Sequence, residues 1–418
     1  MQPSPQGDLQ AQLADLRRRI AAAAKRTDER VADQRAQAAI EEPLDRFVQG
    51  HEVETAHGKH FETQRLWPHW QRHGSMEISR LQELPGDLLR EISEGAIAVA
   101  PPETWAFLDT ETTGLAGGSG TCAFLVGVGR IRADGFHVRQ FFLRDYPEEP
   151  SALAALSHSL ADALVLVTYN GKSFDIPLLE TRYRLSRARP PFERLAHLDL
   201  LHSARRLWRF RFDSCRLMEL ENRILGHERE GDVPGAQIPE IYFDYVRTHR
   251  AARLAQVFTH NALDIVSLAC LTGIVPWAFR ESGGTAQFCH AGEFIGLGRW
   301  IEQAGQPERA RDLYREAIRR PLRDDLLYRT MWDLAQLEKK LGATGASVAL
   351  LSELSTIRNE HRVDALQALA KHYEHRERNY ALALEFTETA LGIEPSVELH
   401  KRRERLSKKK GQTLLRLA

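Results

Sequence analysis

Asp109 and Glu111 are separated by one residue in the run Phe107-Leu108-Asp109-Thr110-Glu111-Thr112-Thr113-Gly114. On a strand, residues two apart point to one face, so these carboxylates stand side by side. Such a pair repels itself unless a cation sits between, and hard oxygen ligands suit Mg²⁺ or Mn²⁺. A further acid, Asp175, closes the run Tyr169-Asn170-Gly171-Lys172-Ser173-Phe174-Asp175. It falls in the first turn of an expected helix, where the helix dipole favours its charge. A third group, His260-Asn261-Ala262-Leu263-Asp264, puts an imidazole and a carboxylate four apart on one helix face. A neutral imidazole beside a metal-held water can act as a general base. Taken singly, each group has a plain counterpart: a chance D-x-E, a carboxylate at a helix N-terminus, and an i,i+4 surface pair.

The elements that must position these groups follow from punctuation and period. Pro101-Pro102 marks a boundary. After it, Trp105–Asp109 reads as a strand, and Cys122–Ile131 and Phe136–Leu143 as a hairpin around Ala133-Asp134-Gly135. Ala152–Ala161 reads as a helix, Leu164–Tyr169 as a buried strand, Phe174–Leu185 as a helix and Ala196–Leu200 as a short strand, with helices to Phe279. Three strands, then helix, strand, helix, strand and a closing helix, is the order of an α/β, RNase H-like mixed β-sheet flanked by helices.

A chain of 418 residues is too long for one core. Residues 1–40, rich in Ala, Gln, Arg and Asp, read as a polar helical or disordered arm. Residues 41–100 carry aromatics and glycine breakers, and read as a small β-rich segment packed on the edge of the next domain. The RNase H-like domain is expected over 101–281. Beyond Ser282-Gly283-Gly284, Phe294, Leu297, Gly298 and Ile301, then Ala310 and Tyr314, follow tetratricopeptide spacing. Weaker copies place Ala335 and Ala370 at intervals near the period of about 34. An all-α tetratricopeptide-like helical repeat domain is therefore expected over 285–400, and a basic tail over 401–418.

Basic and acidic residues balance at 57 each, so any attraction for a charged partner must be local. The four cysteines form no CxxC pair, which points to reduced thiols, a cytoplasmic location and no zinc site. No signal-peptide core is seen, and no apolar run approaches the roughly 20 residues of a membrane span.

The three motifs in order, over about Trp105 to Leu271, resemble the DnaQ-like DEDD 3′–5′ exonuclease superfamily. FLDTETTGLAGGSGTCAFLVGVGR with TYNGKSFDIPLLETR looks especially like its YprB-like branch, which often carries tetratricopeptide repeats. The resemblance implies that Asp109, Glu111, Asp175 and Asp264 bind two divalent ions, Mg²⁺ or Mn²⁺, with His260 as the base. It implies phosphodiester hydrolysis by two ions about 3.5–4 Å apart. Asp109 would bridge both, Glu111 and Asp264 would hold one and Asp175 the other. One feature departs from the pattern. The histidine subclass has five positions from His to Asp and the tyrosine subclass four, whereas His260 stands at the tyrosine spacing.

The expected partner is single-stranded DNA or RNA, with Thr112, Gly114, Leu115, Asn170 and Phe174 as candidate substrate contacts; core packing is the competing role for Phe174. The glycines at 117, 118 and 120 suit either a backbone approach to a nucleotide or a plain turn. Arg182, Arg184, Arg187 and Arg189 fit a basic track or a solvated face. Arg205, Arg206, Arg209 and Arg211 interleave with Trp208, Phe210 and Phe212, a composition suited to single strands. His197 and Asp199 are expected to be structural. The alternatives are a structure-selective endonuclease, and a scaffold that binds nucleic acid or a protein through its repeats with an inactive nuclease site.

Overall fold

His51–Thr55 (β1) and Gly58–Pro68 (β2) form a hairpin whose turn needs a residue without a Cβ, since Gly58 has φ +115°. The computed structural model describes residues 43–84, 86–93, 95–114, 120–280 and 290–417, so the expected arm at 1–40 lies outside the described residues. The described chain folds into two compact units. One takes 43–83, 102–197 and 227–269, and the other 84–101, 198–226 and 270–417.

A small ribbon, Arg72–His73 (β3) and Met76–Glu77 (β4), follows the first hairpin. Then come Trp105–Thr112 (β5), Ala123–Arg132 (β6), Gly135–Phe142 (β7), Val165–Thr168 (β8) and Ala196–Asp199 (β9). Seven strands make one mixed sheet in the order β1-β2-β7-β6-β5-β8-β9. β5 and β8 are parallel, and β1 with β2, β2 with β7, β7 with β6 and β6 with β5 are antiparallel. The N-terminal hairpin thus extends the sheet through β2 along β7. β5 runs three residues past the expected end at Asp109, because Thr110 and Thr112 suit a strand and stay paired with β6. Glu111 therefore sits in the ladder, opposite Leu125.

The helices up to residue 280 are named in chain order. Leu88–Ile92 is α1, Glu149–Ser159 α2, Asp175–Leu185 α3, Leu200–Trp208 α4, Leu217–Leu220 α5, Ile238–Thr248 α6 and Leu254–Arg280 α7. β6 is buried on both faces from Ala123 to Ile131, and Phe124 stacks on Tyr242 of α6 at 3.9 Å. α7 comes unusually close to β6. A Cβ on Gly127 would stand 2.2 Å from Ile265 Cδ1, and one on Gly129 2.5 Å from Ile265 Cγ2. Two bare positions on β6 thus let the helix seat directly on the sheet.

Leu254–Val275 is long and apolar enough to cross a membrane, yet 83% of it is buried within the fold. Thr259, His260, Asn261 and Asp264 interrupt the apolar stretch. Burial by the rest of the chain accounts for its composition.

The C-terminal region is all helical. Its helices are Ala291–Gln303 (α8), Pro307–Ile318 (α9), Asp324–Lys340 (α10), Thr344–Thr356 (α11), Arg362–His375 (α12), Tyr380–Ile393 (α13) and Val397–Leu417 (α14). Gly298 lets α8 meet Tyr314 of α9, for a Cβ there would lie 2.8 Å from the ring. Ala335, Leu351, Leu354, Ala365 and Leu369 make one apolar cluster from three successive helices. The basic stretch after 400 continues α14. Arg405 and Lys409 donate to the fully buried carboxylate of Glu374 at 2.8–3.0 Å, and Arg402 stands 3.4 Å away.

Burial alone would raise the Glu374 carboxyl, but hydrogen bonds and charge from Arg405 and Lys409 outweigh it and bring the pKa down to about 2. A depressed carboxyl stabilises the fold above its ordinary pKa, and that stability is lost as pH falls through the folded value. Thermal melts of the C-terminal helices should therefore fall between pH 4.5 and about 2. Glu374→Gln should lower the melting temperature at neutral pH and remove that acid step. A variant that melts like wild type at both pH values would refute the assignment.

Candidate active site

Thr63, Gln140, Gly127 and Asp109 form one rung across β2, β7, β6 and β5, each paired with the next. Paired residues share a face. The rung is polar except at Gly127, where the missing side chain leaves a gap that Asn261 of α7 fills. Asn261 Nδ2 donates to Asp109 Oδ2 at 2.9 Å, and Asn261 Oδ1 accepts from Gln140 Nε2 at 2.9 Å. Gln140 Nε2 also donates to the Phe258 carbonyl at 2.8 Å, and Gln140 Oε1 accepts from Thr63 Oγ1 at 2.8 Å. The Phe258 carbonyl only accepts, so Gln140 turns its amide nitrogen toward it, Asn261 Oδ1 accepts from Gln140, and Asn261 Nδ2 is left to donate to Asp109. Asn261, Gln140 and Thr63 are all buried, and each satisfies the next.

The other three acids gather around Asp109. Glu111 is two residues along the same strand, and its Oε1 is buried with no hydrogen-bond partner. Asp175 opens α3 and accepts from Thr110 Oγ1 at 2.5 Å. Asp264 lies one turn beyond His260 on α7. Burial first, and then the charges of Asp264, Glu111 and Asp175, push the Asp109 carboxyl well above its ordinary value. Glu111 is raised likewise by burial and by Asp264, Asp175 and Asp232.

Two residues that carry no motif complete the site. Asp232 accepts from His260 Nδ1, with both carboxylate oxygens at 2.9 Å. Arg229 donates to Asp264 Oδ1 at 2.5 Å and to Asp232 Oδ2 at 3.2 Å. Both sit in the loop before α6, a run of charges and glycines with no period to mark it. His260 Nε2 faces Asp264 Oδ2 at 3.5 Å. Ligand atoms of Glu111, His260 and Asp264 all lie within 4.8 Å of one another. Two carboxylates, an imidazole and an orphaned buried oxygen fit a divalent cation.

Of the expected substrate contacts, Thr112 donates to the Gly114 carbonyl at 3.0 Å, whereas Leu115 lies outside the described residues. Residues 117–119 also lie outside them. Asn170 adopts φ +67°, a left-handed turn that asparagine tolerates, just before α3. Phe174 is 56% exposed, which rules out the core-packing role weighed for it. Its place at the helix entry leaves the ring outside the core.

The first basic run is mostly a solvated face, one of the two readings weighed for it, and the second differs from the sequence reading. Arg182 binds Glu149 at 2.6 Å, and Arg184 and Arg189 pair with Glu180 and Glu193. Trp208 is fully buried and donates to Glu293, which Arg211 also binds at 2.6 Å. Arg209 and Arg299 lie over the Phe210 ring at 4.6 and 4.7 Å. The arginine–aromatic interleaving is thus largely packing between α8 and the chain at 206–212. Asp199 caps α4 and His197 bonds Thr168 Oγ1, both structural as expected.

Residues 106–275 match the RNase_H superfamily. The chain is 34% identical over 312 residues to the uncharacterized protein YprB of Bacillus subtilis (strain 168), covering 72% of this chain and 74% of that protein.

Raised carboxyl pKa values mean that the fold is favoured below the ordinary carboxylate range and loses stability as pH rises through the shifted values. Metal-stripped protein should therefore lose melting temperature as pH rises above the ordinary carboxylate range. Asp109→Asn should flatten that slope and raise the melting temperature at pH 8. A variant with the wild-type slope would show that the cluster carries no such strain. Separately, Gly127→Ala drives a methyl to within 2.3 Å of Asn261 Oδ1. It should cost about 1–3 kcal/mol in urea unfolding, and an unchanged midpoint would show that α7 yields without cost.

Proposed function

The chain belongs to the RNase H-like family that includes YprB of Bacillus subtilis, and on that premise we propose that it is a metal-dependent nuclease cutting single-stranded DNA or RNA from the 3′ end. The observation that carries this reading is the convergence of Asp109, Glu111, Asp175 and Asp264, with a buried Glu111 oxygen that no protein group satisfies. Such a cluster is balanced by cations, and Mg²⁺ or Mn²⁺ held there would supply phosphate charge neutralisation and an acidified water.

The chain's own residues do the positioning. Asn261 holds one oxygen of Asp109, which leaves the other for the ion. Thr110 orients Asp175, and Asp232 orients His260. The exposed Phe174 ring, next to Asp175, suits stacking by a terminal base, which favours an unpaired strand. Release from the 3′ end and the two-ion chemistry rest on the resemblance of the three motifs to the DEDD exonucleases. The C-terminal helices, whose spacing is tetratricopeptide-like, offer a surface for a protein partner.

The test is cleavage of end-labelled single-stranded DNA and RNA with Mn²⁺, Mg²⁺ or EDTA, by wild type, Asp109→Ala and Asp264→Ala. Metal-dependent release of mononucleotides from the 3′ end, lost in both variants, is the expected result. Full activity in a folded Asp109→Ala protein would sink the site. Cuts inside the strand would make it an endonuclease, and intact substrate in every lane would favour a binding role.

A further inference from the structure

One nitrogen of His260 is occupied by its partner Asp232. Asp232 only accepts, so His260 donates to it through Nδ1, which turns Nε2 toward Asp264. Nε2 faces Asp264 Oδ2 at 3.5 Å, and ligand atoms of both lie within 4.8 Å of one from Glu111. The neighbouring Glu111 Oε1 is buried and without a donor. The other oxygen of Asp264 is held by Arg229, so only Oδ2 is turned toward the imidazole. Asp232 and Arg229 come from one loop and bind each other at 3.2 Å. That loop restricts His260 to Nε2 and Asp264 to Oδ2, and it aims both toward one point beside Glu111. The four-residue spacing makes this possible, since it stacks His260 directly over Asp264 on α7.

We propose that His260 is a metal ligand rather than the general base, so that Glu111, His260 Nε2 and Asp264 Oδ2 form a mixed nitrogen–oxygen site selecting Mn²⁺-class ions over Mg²⁺. This rests on the nuclease reading and names the metal it uses. A nitrogen donor favours first-row transition ions, whereas Mg²⁺ prefers oxygen. A carboxylate behind the ligating imidazole is the usual support for such a histidine, and losing it weakens metal binding roughly 10–100-fold.

The experiment is Mn²⁺ binding to the full metal-stripped chain, followed by loss of the free-ion paramagnetic resonance signal, with Mg²⁺ as competitor. Pulsed resonance on the bound ion reads out coordinated ¹⁴N. Wild type should bind Mn²⁺ with ¹⁴N coupling and give it up to Mg²⁺ only at large excess. His260→Ala should lose the coupling and at least tenfold in affinity. Asp232→Asn, which keeps the shape of the side chain, should retain the coupling but bind about 10–100-fold more weakly. Circular dichroism checks that each variant is folded. Bound Mn²⁺ without ¹⁴N coupling, with His260→Ala binding as tightly as wild type, would overturn the ligand assignment and leave the nuclease reading standing. Binding unaffected by Asp264→Ala would overturn both.

Discussion

Crowding of negative charge is the constraint on which the rest of this structure depends. Burial, and then the charges of Asp264 and Asp175, raise the proton affinity of both Asp109 and Glu111. Like charges held together and away from water oppose folding, so the surrounding scaffold must hold each acid against its neighbours. A seven-stranded sheet carries two of them, one helix entry the third, and a helix seated on bare glycines the fourth.

The support reaches far from the acids in sequence. Thr63, in the N-terminal hairpin, is linked to Asp109 through Gln140 and Asn261. The segment before the RNase H-like strands is therefore part of the site's framework. His73 adds a second tie, bonding Ser267 of α7 at 2.7 Å. On the other side of the site, Arg229 and Asp232 brace Asp264 and His260. Buried polar groups of this kind hold a unique geometry when each is satisfied.

Positive charge has a different use in the second unit. Arg405 and Lys409 neutralise buried Glu374, while Arg211 and Trp208 share Glu293. Arginines over Phe210, Phe212, Trp300 and Phe294 cover aromatic rings with flat cations. Composition that suits a nucleic-acid track is here largely spent on packing, which is why counting basic and aromatic residues misplaces it.

The chain order of the RNase H-like elements and the pairings within each motif were legible in the sequence for a local reason, whereas the gathering of all four acids rested on the motifs' resemblance to a known family. Asp109 and Glu111 share a strand, His260 and Asp264 share a helix face, and period alone determines such relations. Asn261 stood inside a motif, yet its work depends on Gly127, 134 positions earlier in the chain, being bare. Gln140 and Thr63 look like ordinary strand polar residues until register puts them on one rung with Asp109. Arg229 and Asp232 come from a loop without period, and only the folded chain brings them to α7. The exposure of Phe174 and the burial of Trp208 were likewise decided by tertiary packing, because the same side chain suits a core or a binding face. Sequence determined which groups could do chemistry, and tertiary structure decided which atoms of those groups are left to do it.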